Sequence, residues 1–177
     1  MRIASHDSAK PRRHRSSEDM ILFAVGRQMF LVAAESVQEI RSTDGLASAA
    51  LEIELPDFPK VTHFFERRHH NWFIVNACAH FRLPVSRPTL VLILRQARAA
   101  LLVDHIVRMA EVPAVHPLPH AYSGDERRWY RGLAYLEDQV IPVLDPVGVL
   151  TRDEFLRLDA HCATVLAERE CEGAAQS

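Results

Sequence analysis

Apolar positions in this chain come in short runs broken by turn signals, beginning at Ile21. The stretch ILFAVGRQMFLVAA places two apolar runs around Gly26-Arg27-Gln28, and glycine tolerates the positive φ that a hairpin turn needs. TLVLILRQARAALLVDHIV predicts a second hairpin turning at Arg95-Gln96, and WYRGLAYLEDQVIPVLD a third turning at Glu137-Asp138. Between the first two, SVQEIRS reads as a single helical turn or short helix. Ser42 to Lys60, with Asp44-Gly45, Pro56 and Pro59, reads as irregular loop. WFIVNACAHF opens on aromatic and β-branched residues, a strand signal, and VPAVHPLPHAYSGDERR is a proline-rich polar connection. Short strands with closely recurring turns predict small closed barrels rather than alternating strand–helix units.

The C-terminal pattern differs. Thr-Arg-Asp-Glu at 151–154 is a capping box, in which Thr151 accepts from a backbone N–H one turn in and Glu154 reaches back. Phe155, Leu158, Cys162, Val165 and Leu166 then recur at helical spacing, predicting one amphipathic helix over about 152–168. Cys162 falls on its apolar stripe, which suits a small core residue better than a nucleophile. There is also an internal echo. NWFIVNACAHFRLP and VIPVLDPVGVLTRD each read as a strand leading to a polar residue and an apolar segment, with Asn76 falling where Asp145 falls.

Composition narrows the function. The chain has 177 residues, 48% of them hydrophobic, enough for one domain or two interlocked halves with a real core. A net charge of −2 argues against a dedicated nucleic-acid binder. Cys78, Cys162 and Cys171 form no CxxC motif or disulfide framework, which points to a reduced, cytoplasmic setting. No apolar run approaches the ~18–20 residues of a membrane helix. Residues 1–18, rich in Ser, Arg, Pro and His, read as a disordered tail; 19–168 read as the folded domain and 169–177 as a flexible end.

The segment HFFERRHHNWF, His63 to Phe73, concentrates candidate chemistry. His63, His69, His70, Cys78 and His80 are metal-ligand types, but no HExxH or paired CxxC spacing joins them, so no metal site is assigned. Asp104-His105 and Asp145 have no activated nucleophile beside them; no GxSxG elbow or phosphate-cradling glycine loop occurs, and no cofactor is expected. Arginines 67, 68, 127 and 128 beside Trp129 leave a small nucleic-acid-binding β-barrel as the alternative. The residues alone describe a β-barrel domain without visible catalytic apparatus.

Three segments, in order, resemble the CheW-like coupling proteins of bacterial chemotaxis. ILFAVGRQMFLVAAESVQEIR is similar to the family's opening hairpin and its V-x-E-I segment. LVLILRQARAALLVDHIVRMAEV is similar to the central hairpin, with Val103-Asp104 matching and Ala100 in place of a glycine. WYRGLAYLEDQVIPVLDPVGVLTRDEF is similar to the closing hairpin and helix start. The resemblance implies a mainly β fold of two interlocked, SH3-like five-stranded β-barrels with a C-terminal helix. It implies a non-enzymatic scaffold in the cytoplasm, held at membrane receptor arrays. Its partners would be the cytoplasmic tip of a methyl-accepting chemoreceptor and the regulatory domain of a CheA-type histidine kinase. Carried over by motif, the receptor-facing residues are Val37, Glu39 and Ile40, with Arg68 and His69 in the loop where the family has Arg-Gly. A Glu39–Arg68 pair there would orient the guanidinium toward a partner. Glu66-Arg67-Arg68-His69 departs from the family's Asn-Leu-Arg-Gly, and His69 takes the glycine position.

Overall fold

The structure, a computed structural model, describes residues 17–46, 50–53 and 55–175. The chain opens with the hairpin β1 (Glu18–Val25) and β2 (Gln28–Ala33), turning at Gly26 with a φ of 60°. A 3-10 turn (Ala34–Ser36) leads into β3 (Val37–Ser42). After the two-residue β4 (Leu51–Glu52) come the hairpin β5 (Val61–Arg67) and β6 (His70–Asn76), then the short helix α1 (Ala77–Phe81). The order then repeats. A hairpin, β7 (Leu90–Leu94) and β8 (Ala99–Val103), precedes β9 (His105–Val112) and the two-residue β10 (Val115–His116). The helical turn α2 (Glu126–Trp129) feeds the hairpin β11 (Tyr130–Leu136) and β12 (Gln139–Leu144) and a 3-10 turn (Pro146–Gly148). The chain ends in α3 (Arg152–Ala175).

The strands form two six-stranded sheets, β10-β11-β12-β2-β1-β9 and β4-β5-β6-β8-β7-β3. The two orders are the same once β1–β6 and β7–β12 are read as repeats. Each repeat lends its opening hairpin to the other's sheet, so the halves are interlocked. The borrowed hairpin docks by one parallel pairing in each case, β12 with β2 and β6 with β8. Even the bulges repeat, between Val37 and Glu39 where β3 meets β7, and between Ile106 and Arg108 where β9 meets β1. Aligning them makes Arg108 the counterpart of Glu39 and Met109 that of Ile40. The β5–β6 and β11–β12 registers likewise make Glu137-Asp138 the counterpart of Arg68-His69. Asn76 and Asp145 are true equivalents: each accepts a backbone N–H just after its strand, from Ala79 at 3.3 Å and Val147 at 3.0 Å. The echo in the sequence is this duplication.

Three apolar clusters explain why the strands read as near-continuous apolar runs. Met20, Leu22, Leu31, Ile141 and Val143 fill the inside of the first sheet; Trp72, Ile74, Val91 and Ile93 fill the second. The intervening residues, Phe23, Phe30, Phe64, Phe73, Leu92 and Leu101 among them, face the other way into one shared cluster. Each sheet thus has five long strands and a short edge strand, curled around its own core. α3 covers the shared cluster with Phe155, Leu158, Cys162 and Leu166. Burial, then the Asp159 charge, pushes the Cys162 thiol up to about 12, so it stays a protonated core group.

One side chain ties the crossovers together. Asp104, in the bend between β8 and β9, accepts from Gly26 N at 2.6 Å and from the Ser86 hydroxyl. The Cys78 thiol lies 3.0 Å from the same hydroxyl, and the Asp104 N–H donates to Ala24 O at 3.0 Å. The Val103-Asp104 pair therefore clamps the β1–β2 turn to the other repeat.

Three expectations change. SVQEIRS is not helical: apart from Ser36, which ends the 3-10 turn, it is strand β3. The bulge at Gln38 puts Val37 and Ile40 three apart, which imitates a helical period while the ladder with β7 holds them extended. The proposed tail to residue 18 is too long, because Glu18 starts β1 and chelates Arg131 at 2.8 and 2.7 Å; residues 1–16 lie outside the described residues. The helix expected to stop near 168 runs to Ala175, since Ala167-Glu168-Arg169-Glu170 are strong helix formers beyond the apolar stripe; of the end expected to be flexible, 169–177, the last two residues lie outside the described residues. Its capping box forms as expected, Thr151 N donating to Glu154 Oε2 at 2.7 Å and Glu154 N to Thr151 Oγ1 at 3.2 Å.

Candidate functional site

HFFERRHHNWF folds as the β5–β6 hairpin, with Arg68-His69 as its two-residue turn. Both have positive φ, 51° and 62°, the geometry of a turn that matches strand twist. Glycine or asparagine adopts it with less strain than arginine and histidine. The glycine position therefore still needs positive φ, and His69 occupies it with its side chain almost wholly in solvent, 3.8 Å from Glu66.

β3 is the outer strand of the same sheet. Its Glu39 carboxylate accepts from Arg41 Nε at 2.7 Å and from Arg67 Nη1 at 3.5 Å. The second bond joins strands that lie far apart in the sheet order, so the sheet curls until the hairpin tip stands beside the β3 edge. The expected Glu39–Arg68 pair is replaced by Glu39–Arg67, because in a two-residue turn Arg67 remains in the strand and Arg68 leads away. Arg68 is exposed and has no ion pair among the described residues. The Glu39 carboxyl is held below the ordinary range, first by the Arg41 hydrogen bond, against the opposing effect of desolvation, and further by the charges of Arg41 and Arg67 and the Arg67 hydrogen bond. Arg67 also lies over Trp72 at 5.8 Å, and Trp72 stacks on Phe65 at 6.2 Å.

The site residues thus divide. Val37 is buried in the shared core and holds β3 in place. Ile40, 42% exposed, presents an apolar side chain beside Glu39. Arg68 and His69 form the exposed hairpin tip. Sequence reasoning missed Arg67 and Arg41; only the two-residue turn length would have indicated that Arg67 faces β3. The arrangement offers an apolar contact, a fixed carboxylate and an unpaired guanidinium on one rim, which suits protein recognition.

The other candidate chemistries do not assemble. Cys78 and His80 lie on α1 rather than on a strand, and among the described residues no three His, Cys, Asp or Glu side chains converge as metal ligands. Trp72 and Trp129, at 8% and 9% exposure, face inward and offer no open indole on which bases could stack. Among the described residues no helix is long and apolar enough to cross a membrane.

A family profile described as the CheW-like domain matches residues 19–154. The chain belongs to the CheW-like domain family. Among solved structures it is similar to the scaffolding protein TtCheW from Thermoanaerobacter tengcongensis, with a TM-score of 0.59 at 14% identity. The match covers 73% of this chain and 89% of that one, and shows a shared CheW-like fold. No curated protein matches the chain closely enough to count. The three segments picked out from the sequence fall within the matched range, apart from the final Phe155 of the third.

Proposed function

We propose that this CheW-like chain is a non-enzymatic adaptor that couples chemoreceptors to a CheA-type histidine kinase, within residues 19–168. Family membership over 19–154 carries the reading. The relative TtCheW is itself described as a scaffolding protein. In this reading Ile40, Glu39 and the Arg68-His69 tip meet the cytoplasmic tip of a receptor, while another surface meets the kinase's regulatory domain. The adaptor works in the cytoplasm, held at receptor arrays by those contacts. Glu39, fixed by Arg41 and Arg67, positions the hairpin tip rather than bonding the partner, and Arg68 supplies the free fork for a receptor carboxylate.

Calorimetry of the full chain against a cognate receptor fragment and kinase regulatory domain tests this. Binding to both in the micromolar range is expected. No heat with either at tens of micromolar, roughly where transient signalling contacts sit, overturns the adaptor reading.

A further inference from the structure

The two repeats make the same ion pair from different places on the hairpin, and the residues under the tip say why. In the second repeat the first turn residue, Glu137, reaches Arg108 at 2.7 Å. Its equivalent in the first repeat is Arg68, yet Glu39 is reached by Arg67, one place earlier, at 3.5 Å. Both tips are two-residue turns of the same kind, with φ of 51° and 62° at Arg68 and His69 and of 47° and 63° at Glu137 and Asp138. Something besides the turn therefore holds Arg67 at Glu39.

The difference lies in the strands that carry the tips. In the first repeat Phe65 and Trp72 are cross-strand partners with ring centroids 6.2 Å apart, and Trp72 packs in the core of the second sheet with Ile74, Val91 and Ile93. Arg67, two residues past Phe65 and so on the same face, lays its guanidinium over the Trp72 ring, 5.8 Å from the centroid. In the second repeat the positions of Phe65, Trp72 and Arg67 are held by Ala134, Ile141 and Leu136. Ala134 and Ile141 are buried in the core of the first sheet and Leu136 packs against it, so these positions offer neither an aromatic face nor a charge. A guanidinium is planar and weakly hydrated, which suits it to an indole face. Seated there, Arg67 keeps an N–H for Glu39 Oε2, while Arg41 takes Oε1 at 2.7 Å. Arg68, exposed, is left without an ion pair among the described residues.

We propose that Trp72 is a positioning residue of this rim: its indole seats Arg67 beside Glu39, so that Glu39 does not draw in Arg68 and the Arg68 guanidinium stays open to the partner. The proposal rests on the receptor reading of the rim and adds what selects its free charge. Ile141, in the equivalent place, seats no cation, and there the ion pair takes up the first turn residue.

Arginine side-chain NMR of the full chain, labelled with ¹⁵N and ¹³C, tests the seat without any partner. In the wild type the Arg67 side-chain signals are expected upfield of the free-arginine position, because the face of an indole shields them. Glu39→Gln is expected to move Arg67 Nε and to leave Arg68 Nε in place. Trp72→Ile, which installs the second repeat's residue, should transfer that response to Arg68. Trp72→Phe, which keeps an aromatic face, should leave it on Arg67. Calorimetry with a cognate receptor fragment should then show about a threefold loss of affinity for Trp72→Ile, a smaller loss for Trp72→Phe, and unchanged affinity of both for the kinase regulatory domain. An unshielded Arg67 in the wild type, or a response that stays on Arg67 in Trp72→Ile, overturns the positioning role. Receptor affinity unchanged in Trp72→Ile, with Arg68 now on Glu39, overturns it as well. If Trp72→Ile fails to fold, the wild-type shielding and the Glu39→Gln response still decide. Absence of receptor binding by the wild type counts against the adaptor reading alone, since the arginine signals are read without a partner.

Discussion

The two repeats share a backbone and differ in what they show to solvent. β3 carries Glu39 and Ile40 where β9 carries Arg108 and Met109, each beside an equivalent bulge. Each of these charges reaches the hairpin tip of its own sheet: Glu39 binds Arg67, and Arg108 binds Glu137 at 2.7 Å. The same contact is thus made twice with the signs reversed. Its partner in the second repeat, Glu137, stands at the position of Arg68, whereas the first repeat shifts the job to Arg67. That one-residue shift leaves Arg68 free. The lesson is that the curl of each sheet brings opposite charges together at this place without fixing their polarity, which leaves polarity and the spare charge free to vary.

Substitutions at equivalent positions should affect the two repeats unequally. The largest effect is expected at the strand-end turns. A Cβ on Gly148 would meet Arg128 O at 1.7 Å, while its counterpart Ala79 is exposed on α1. Gly148→Ala should cost about 3 kcal/mol in urea unfolding, because backbone must move. Ala79→Gly should cost about 1 kcal/mol, the price of glycine in a helix.

Next comes the crossover clamp. Asp104→Ala leaves the Gly26 N–H and the Ser86 hydroxyl without their acceptor and should destabilise by about 2–3 kcal/mol. Its counterpart by position, Glu35, has no such side-chain bonds among the described residues; Glu35→Ala should stay within about 0.5 kcal/mol. Equal losses would deny that the repeats have specialised.

Smaller effects are expected at the tips. His69→Gly relieves a positive φ of 62° and should stabilise by about 0.5–1 kcal/mol. Asp138→Gly, at 63°, should gain less, because aspartate tolerates this region better. The smallest effect concerns pH. The Glu39 carboxyl titrates below its ordinary value, so its contribution is complete above the unfolded-state pKa and is lost as pH falls through the folded one. A carboxyl ¹³C titration should show that low midpoint, and Arg41→Gln should move it up toward the ordinary range. An unmoved midpoint would mean the Arg41 bond is not the main cause.

Much of the fold was legible because three of the four hairpins have local punctuation: Gly26, Arg95-Gln96 and Glu137-Asp138 all fall in turns. The capping box likewise needs only four neighbouring residues. What stayed hidden depends on distant pairing. The extended form of β3 comes from its ladder with β7, and its bulge disguises the period. The choice of Arg67 over Arg68 depends on turn length and on how far the sheet curls. His80 sits in a run that reads as apolar strand, while α1 turns it into the core beside Trp129.

The central claim is that the spare charge of the first repeat, not its counterpart in the second, meets the receptor. Binding of a cognate receptor fragment and of the kinase regulatory domain should therefore be measured for Arg68→Ala and Glu137→Ala in parallel. Arg68→Ala alone should lose receptor affinity, about tenfold, with kinase affinity unchanged in both variants. Equal losses of receptor affinity in the two variants, or no loss in Arg68→Ala, would contradict it.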